Sequence, residues 1–164
     1  MGSNSKLNVG FSRRHWVARG GNGDSFADTG YQASWEVSRG QAGTSGVLVN
    51  YSGGLHSESF KGAEAANRVS GFLAQMEPVF PGLGGFHNEL ATFDHWGHTT
   101  PLVLGSYAYF EPGQYTAFVG IEGVQEGNAH FCGEHTSPDS QGYLNGAVET
   151  GERVAEEITA DLRV

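Results

Sequence analysis

Apolar positions along this chain fall into short alternating runs for its first half and into two longer helical stripes. Leu7 to Phe11 alternates in the manner of a half-buried strand, and Arg13-Arg14-His15-Trp16 continues it or turns. Gly20-Gly21-Asn22-Gly23-Asp24 is a turn cluster, after which Ser25 to Ala27 and Gln32 to Val37 read as short strands joined through Asp28-Thr29-Gly30. Gly46 to Tyr51 is the strongest strand pattern, closed by Ser52-Gly53-Gly54. From Gly62 to Glu77 the period lengthens: Ala63, Ala66, Val69, Phe72, Leu73 and Met76 share a helix face, and Pro78 and Pro81 stop it. A strand follows over Glu89 to Trp96, then a loop-rich aromatic stretch. Ala129 to Cys132 is a last short strand. A helix entered through Gly142-Tyr143 carries an apolar stripe at Leu144, Ala147, Val148, Gly151, Val154, Ala155, Ile158 and Leu162. Three strands, a helix and a further strand make an α+β chain, with a mixed sheet, flanking helices, and a C-terminal strand and long helix.

Composition narrows what such a chain does. At 164 residues, 38% hydrophobic and 12% aromatic, it can bury one ordinary core. Eighteen acidic against nine basic residues leave a net charge of −9, which disfavours nucleic acid and anionic membrane as partners and mildly favours cationic ligands. The single cysteine, Cys132, excludes an internal disulfide and fits a reducing compartment. No run approaches the ~18 apolar residues of a membrane span, and the start carries no signal-peptide core, so the expected location is cytoplasmic. The 26 glycines are scattered without a fixed period, as turns and close backbone approaches require.

Familiar nucleotide and hydrolase signatures are missing. Gly21-Asn22-Gly23 and Gly82-Leu83-Gly84-Gly85 lack the spacing and the strand–turn–helix context of a dinucleotide fingerprint, and neither a G-x-S-x-G elbow nor a P-loop occurs. His95, His98, Cys132 and His135 show H-x-x-H and C-x-x-H spacings that zinc can use, but without the paired ligands that make such a motif specific; no metal is expected.

The most informative stretch is FCGEHTSPDSQGYLNGAVETGE, from Phe131 to Glu152. Gly142 and Gly146 keep side chains away from the start of the last helix, where unpaired N–H groups and the positive dipole end suit an electron-rich acceptor atom. This stretch closely resembles the C-terminal, flavin-contacting motif of the flavin-containing amine oxidases: monoamine, polyamine and putrescine oxidases and the histone lysine demethylases. The resemblance spans nearly the whole chain, which looks like the C-terminal third of such an enzyme without the N-terminal glycine-rich unit. It implies a substrate-domain-like part over residues 1–97 and the C-terminal part of the flavin-binding domain over residues 98–164.

Residue by residue, the resemblance implies FAD as cofactor and a small-molecule amine as substrate. Lys6 would hold a water at the flavin; read by itself it is a solvated lysine near the chain start. Asp94-His95-Trp96 is similar to the family's tryptophan strand. Ser106 stands where monoamine oxidases carry the cysteine that bonds the flavin, so FAD would be held non-covalently. Tyr107 and Tyr143 would flank the amine as an aromatic pair, although each, taken singly, also suits a core or rim aromatic. Gly133, Glu134, Gly142, Leu144 and Asn145 would meet the cofactor, whereas Glu152-Arg153 reads as solvated or locally ion-paired. The implied reaction is oxidative deamination of an amine to an imine with O2 reduced to H2O2. The chain is expected to need a second subunit bearing the dinucleotide-binding half, or to pair as a homodimer. The alternative is a non-catalytic binding or assembly module on the same scaffold.

Overall fold

The computed structural model describes residues 1–28, 30–62 and 64–162. Thr29, at the expected turn, and Ala63, on the expected helix face, lie outside them. The polypeptide forms two compact units, Ser3–Gly105 and Met1–Gly2 with Ser106–Val164.

The first unit is built on a five-stranded sheet of order β2-β3-β4-β1-β5, with β1 Asn4–Phe11, β2 Ser25–Phe26, β3 Ala33–Glu36, β4 Gly46–Gly53 and β5 His87–Trp96. Every pairing is antiparallel, so the sheet is not the expected mixed one. β4 and β5 both run antiparallel to β1, so they point the same way; the link between them, through α3, crosses over β1 and leaves no two parallel strands side by side. Short helices α1 (His15–Ala18) and α2 (Gly54–Glu58) interrupt the loops, and α3 (Ala65–Met76) covers one face.

Alternation decides which face is covered. Leu7, Val9 and Phe11 point one way with Leu48 of β4, and meet Val69, Phe72 and Met76 of α3 in a core completed by Trp16, Tyr31, Phe80 and Leu83. Burying a side chain such as Phe72 contributes about 2–3 kcal/mol. Ala65, rather than Ala66, packs on this core, and Ala66 is exposed. One acidic group is buried beside it. Glu36 accepts hydrogen bonds from Arg14 Nε (2.6 Å), Trp16 Nε1 (2.8 Å) and Ser38 Oγ (2.8 Å). Burial pushes its pKa up, but these bonds and the Arg14 charge outweigh it, and the carboxyl is held below its usual range.

The second unit is organised differently. It contains α4 (Gln114–Phe118) and the long α5 (Leu144–Asp161), and among its described residues Val154 is the only buried large hydrophobic. Its inner contacts are polar. Thr150 of α5, fully enclosed, bonds the backbone of Gly133 through both the amide (3.0 Å) and the carbonyl (3.1 Å). Arg153 pairs with Glu157 at 2.5 Å, the local ion pair that the spacing allows, and also donates to the carbonyls of Gly123 (3.2 Å) and Phe131 (2.7 Å). It therefore faces inward and fastens loops rather than only solvating the helix.

Two expectations for this unit are revised. Residues 129–132 form no strand; their one pairing is an isolated bridge between Glu126 and Ala129. A strand here has no neighbour in its own unit to complete its ladder. Of the apolar stripe of α5, Val154 is the one large side chain that this chain buries. Gly146, Thr150 and Val154 face inward, while Leu144 (87% exposed), Val148 (63%) and Leu162 (81%) lie away from that face and Ile158 (40%) flanks it, all in solvent.

Candidate active site

The site residues fall into two groups, one in each unit. In the sheet unit, the face opposite α3 carries Lys6, whose register partners are Tyr51 on β4 and Asp94 on β5. The Lys6 ammonium lies 5.8 Å from the centre of the Trp96 ring. Lys6 and Trp96 are thus brought together by strand pairing, two positions apart along the β1–β5 ladder. On the same face Trp35 and Tyr51 pack ring to ring at 5.4 Å. The sequence reading passed over these two. Their signal is an aromatic at matching alternation in β3 and β4, which can be seen only once Ala33 is known to pair with Tyr51.

The helix-covered face, on which His95 lies as the register partner of Ser5, ends in a polar knot around α2 that the sequence did not foretell. Ser57 Oγ lies 3.4 Å from His95 Nδ1, and Glu58 lies 4.0 Å from His98 Nδ1. A hydrogen bond from Ser3, with a backbone bond at His98 and the two imidazoles nearby, holds Glu58 below the usual carboxylate range. His95 and His98 lie in the sheet unit, Cys132 and His135 in the other. Among the described residues no three His, Cys, Asp or Glu converge in a metal-holding group.

In the second unit, Gly2 and the Ser106-Tyr107 segment exchange backbone hydrogen bonds of 2.8 and 2.7 Å. Ser106 Oγ is buried there without a partner. Glu134 then ties two segments: Oε1 accepts from the Ala108 amide (2.8 Å) and Oε2 from the Gly142 amide (2.7 Å). Ala108 follows Tyr107 and Gly142 precedes Tyr143, so one carboxylate sets the backbone beside both tyrosines. A side chain at Gly142 would point toward the Tyr107 ring, 3.9 Å away, and the residue is held at φ +85°. Tyr143 is 72% exposed.

The two glycines at the α5 entrance have different roles. Gly146 is not open to a ligand, because a Cβ there would stand 2.4 Å from the Ser140 carbonyl oxygen and 2.8 Å from Ser137. It admits the chain's own loop. Gly133, at φ +131°, is crowded in turn by the His135 ring. The start of α5 fits an acceptor better: no side chain caps it, and Leu144 and Asn145 are exposed.

The sheet with one helix-covered and one aromatic face, and the uncapped helix with its glycine entrance, have the fold of flavin-dependent oxidases. Cyclohexylamine oxidase from Brevibacterium oxydans IH-35A superposes with a TM-score of 0.83 at 20% identity, over 100% of this chain and 36% of that one. Putrescine oxidase bound to putrescine gives 0.75 at 21% identity, over 96% and 35%.

The chain belongs to the flavin containing amine oxidoreductase family, whose model matches residues 1–159. YobN of Bacillus subtilis (strain 168), by name an L-amino-acid oxidase, is 28% identical over 95% of this chain and 33% of its own length. An L-amino acid dehydrogenase of Synechocystis sp. is 25% identical over 96% and 33%. The flavin-containing amine oxidase A of Bos taurus is 41% identical over 31% of this chain. The chain therefore spans about a third of the length of the full-span relatives it matches. Among the described residues no helix is long and apolar enough to cross a membrane.

Proposed function

We propose that this chain is the C-terminal part or subunit of a cytoplasmic FAD-dependent amine oxidase and works only with a partner that carries the dinucleotide-binding half. The observation that carries this reading is the uncovered stripe of α5. A family member spanning a third of its relatives exposes Leu144, Val148, Ile158 and Leu162 along its longest helix. Such a stripe is an association surface. The partner chain has priority over a homodimer because a second copy of these 164 residues would not add a glycine-rich pyrophosphate-binding unit.

The residues present suit FAD. The uncapped amides at Leu144 and Asn145 would face the pyrimidine end of the ring system, with Gly133, Glu134 and Gly142 along the cofactor. Because both Glu134 oxygens already accept backbone amides, its contribution is to fix the loop rather than to offer free acceptors. The orphaned Ser106 hydroxyl can hydrogen-bond but cannot form a thioether, so attachment is non-covalent. Bound FAD would supply the redox chemistry, taking a hydride equivalent from the amine α-carbon and passing it to O2. Tyr107 and Tyr143 would guide the amine between their rings, Trp96 would wall the site, and Lys6 would position a water. The imine released would hydrolyse to aldehyde or ketone. In this proposal residues 1–97 are the substrate-domain-like part and residues 98–164 the C-terminal part of the flavin-binding domain.

Absorbance tests it directly. Flavin bound in a protein gives bands near roughly 375 and 450 nm. The chain purified with a partner of the family's N-terminal type should be yellow and should turn over an amine with release of H2O2, while the chain alone should be nearly colourless. A preparation that stays colourless with added FAD and with such a partner would instead support the non-catalytic assembly module.

A further inference from the structure

A cavity of about 170 Å³ lies between α3 and the helix-covered face of the sheet, on the side opposite Lys6 and Trp96. Its walls are of two kinds. Ser5, Asn50, Ser52 and Gln75 present hydroxyl and amide groups, and Phe72 and Phe93 present hydrocarbon. Arg68 of α3 enters between them. Its guanidinium lies 4.0 Å from the centre of the Phe60 ring and 4.8 Å from that of Phe93. One hydrogen bond is made, from Nη2 to the Phe60 carbonyl at 2.9 Å, while Nε is buried with no partner.

Among the described residues no carboxylate pairs with Arg68, and no acidic residue lines the cavity. Burial alone lowers its pKa, with no opposing charge nearby to raise it. This is an odd place for an arginine in a chain with twice as many acidic as basic residues. Partial burial disfavours the cation, and stacking on the two aromatic rings offsets this only in part. Stacking uses the faces of the guanidinium and leaves its in-plane donors to other partners; the Phe60 carbonyl takes one, and Nε has none.

We propose that this cavity is a binding site for a small aliphatic monocarboxylate, its carboxylate on the Arg68 guanidinium and its hydrocarbon against Phe72 and Phe93. One cation balances one carboxylate. A cavity of about 170 Å³ has room for a small ligand of a few non-hydrogen atoms, such as butyrate. Phosphate fits less well, since it carries more charge than Arg68 offsets and gains nothing from the phenyl walls.

Isothermal titration of the full chain with butyrate at constant ionic strength tests this, with Arg68→Met as the variant and phosphate as the comparison anion. Saturable binding at one site is expected, weakened at least ~10-fold in Arg68→Met, because a charge-assisted hydrogen bond is worth more than a tenfold change in affinity. Phosphate should bind more weakly than butyrate. Absence of saturable binding up to ~10 mM butyrate, equal binding by the variant, or tighter binding of phosphate would each overturn the proposal. Should Arg68→Met not fold, Gln75→Glu carries the test. A carboxylate built into the cavity must weaken butyrate binding, and undiminished binding would be decisive against the site.

Discussion

The Glu134 carboxylate accepts the Gly142 amide at 2.7 Å and, with its other oxygen, the amide next to Tyr107 at 2.8 Å. Residues far apart in sequence are thereby locked at the same place. Glu134→Gln would turn one acceptor oxygen into an NH2 group facing an N–H donor. Loss of one such charge-assisted bond is expected to lower stability by about 1.5–3 kcal/mol. Urea unfolding of the wild-type and variant chains reads the difference, and near-ultraviolet dichroism should show the tyrosine signal weakened at the same time.

The glycines of α5 should respond in opposite directions to the same change. Gly146→Ala puts a methyl within 2.4 Å of the Ser140 carbonyl oxygen, a backbone atom that cannot step aside. The expected cost is about 1–3 kcal/mol. Gly151→Ala meets nothing within 4 Å and removes a helix-interior glycine, so a gain of up to ~1 kcal/mol is expected. Thermal denaturation of the two variants side by side checks the pair, and equal shifts would contradict the packing described.

Glu36 makes the sheet unit sensitive to acid. Its folded-state pKa lies below the ordinary value of 4.5, so its stabilisation is present above that value and is lost as pH falls through the folded pKa. Glu36→Gln leaves Arg14 with a neutral partner and should cost about 3 kcal/mol near neutral pH. The variant should also lose less stability than wild type on acidification. Denaturant midpoints measured between about pH 7 and pH 3 would show the two curves converging toward low pH.

The α5 stripe predicts association. Val148→Glu places a charge among Leu144, Ala155 and the other apolar residues of the exposed side, where Val148 is 63% exposed. The folded chain should tolerate it within about 0.5 kcal/mol, as surface substitutions usually are. Sedimentation of the isolated chain, or capture of the partner subunit, should show weaker association; an unchanged profile would remove this face from the interface.

Much of this molecule was legible in the order of its residues. Alternation at Leu7, Val9 and Phe11 and the helical spacing of Val69, Phe72 and Met76 mark the core, because burial of one face imposes those periods. The stretch from Phe131 to Glu152 identified the family. Two features misled. Residues 129–132 have strand composition, but a strand exists only through its neighbours. The α5 stripe shows a true helical period, yet periodicity reports which face is apolar and not whether this chain covers it.

Other relationships depended on the tertiary structure because they join residues that no local spacing relates. Strand register set Lys6 beside Trp96 and Trp35 against Tyr51. Glu134 reached its two amides across 26 and 8 positions of sequence. The cavity at Arg68 exists only where α3 meets the sheet, and the missing carboxylate there is a property of the surroundings rather than of the residue. By itself the sequence determined the family, the elements and the polarity of each face, since these follow from residue chemistry and period. Which faces are covered, which polar groups are satisfied and which charge stands unpaired were decided by packing, because each depends on what the fold brings within a few ångströms.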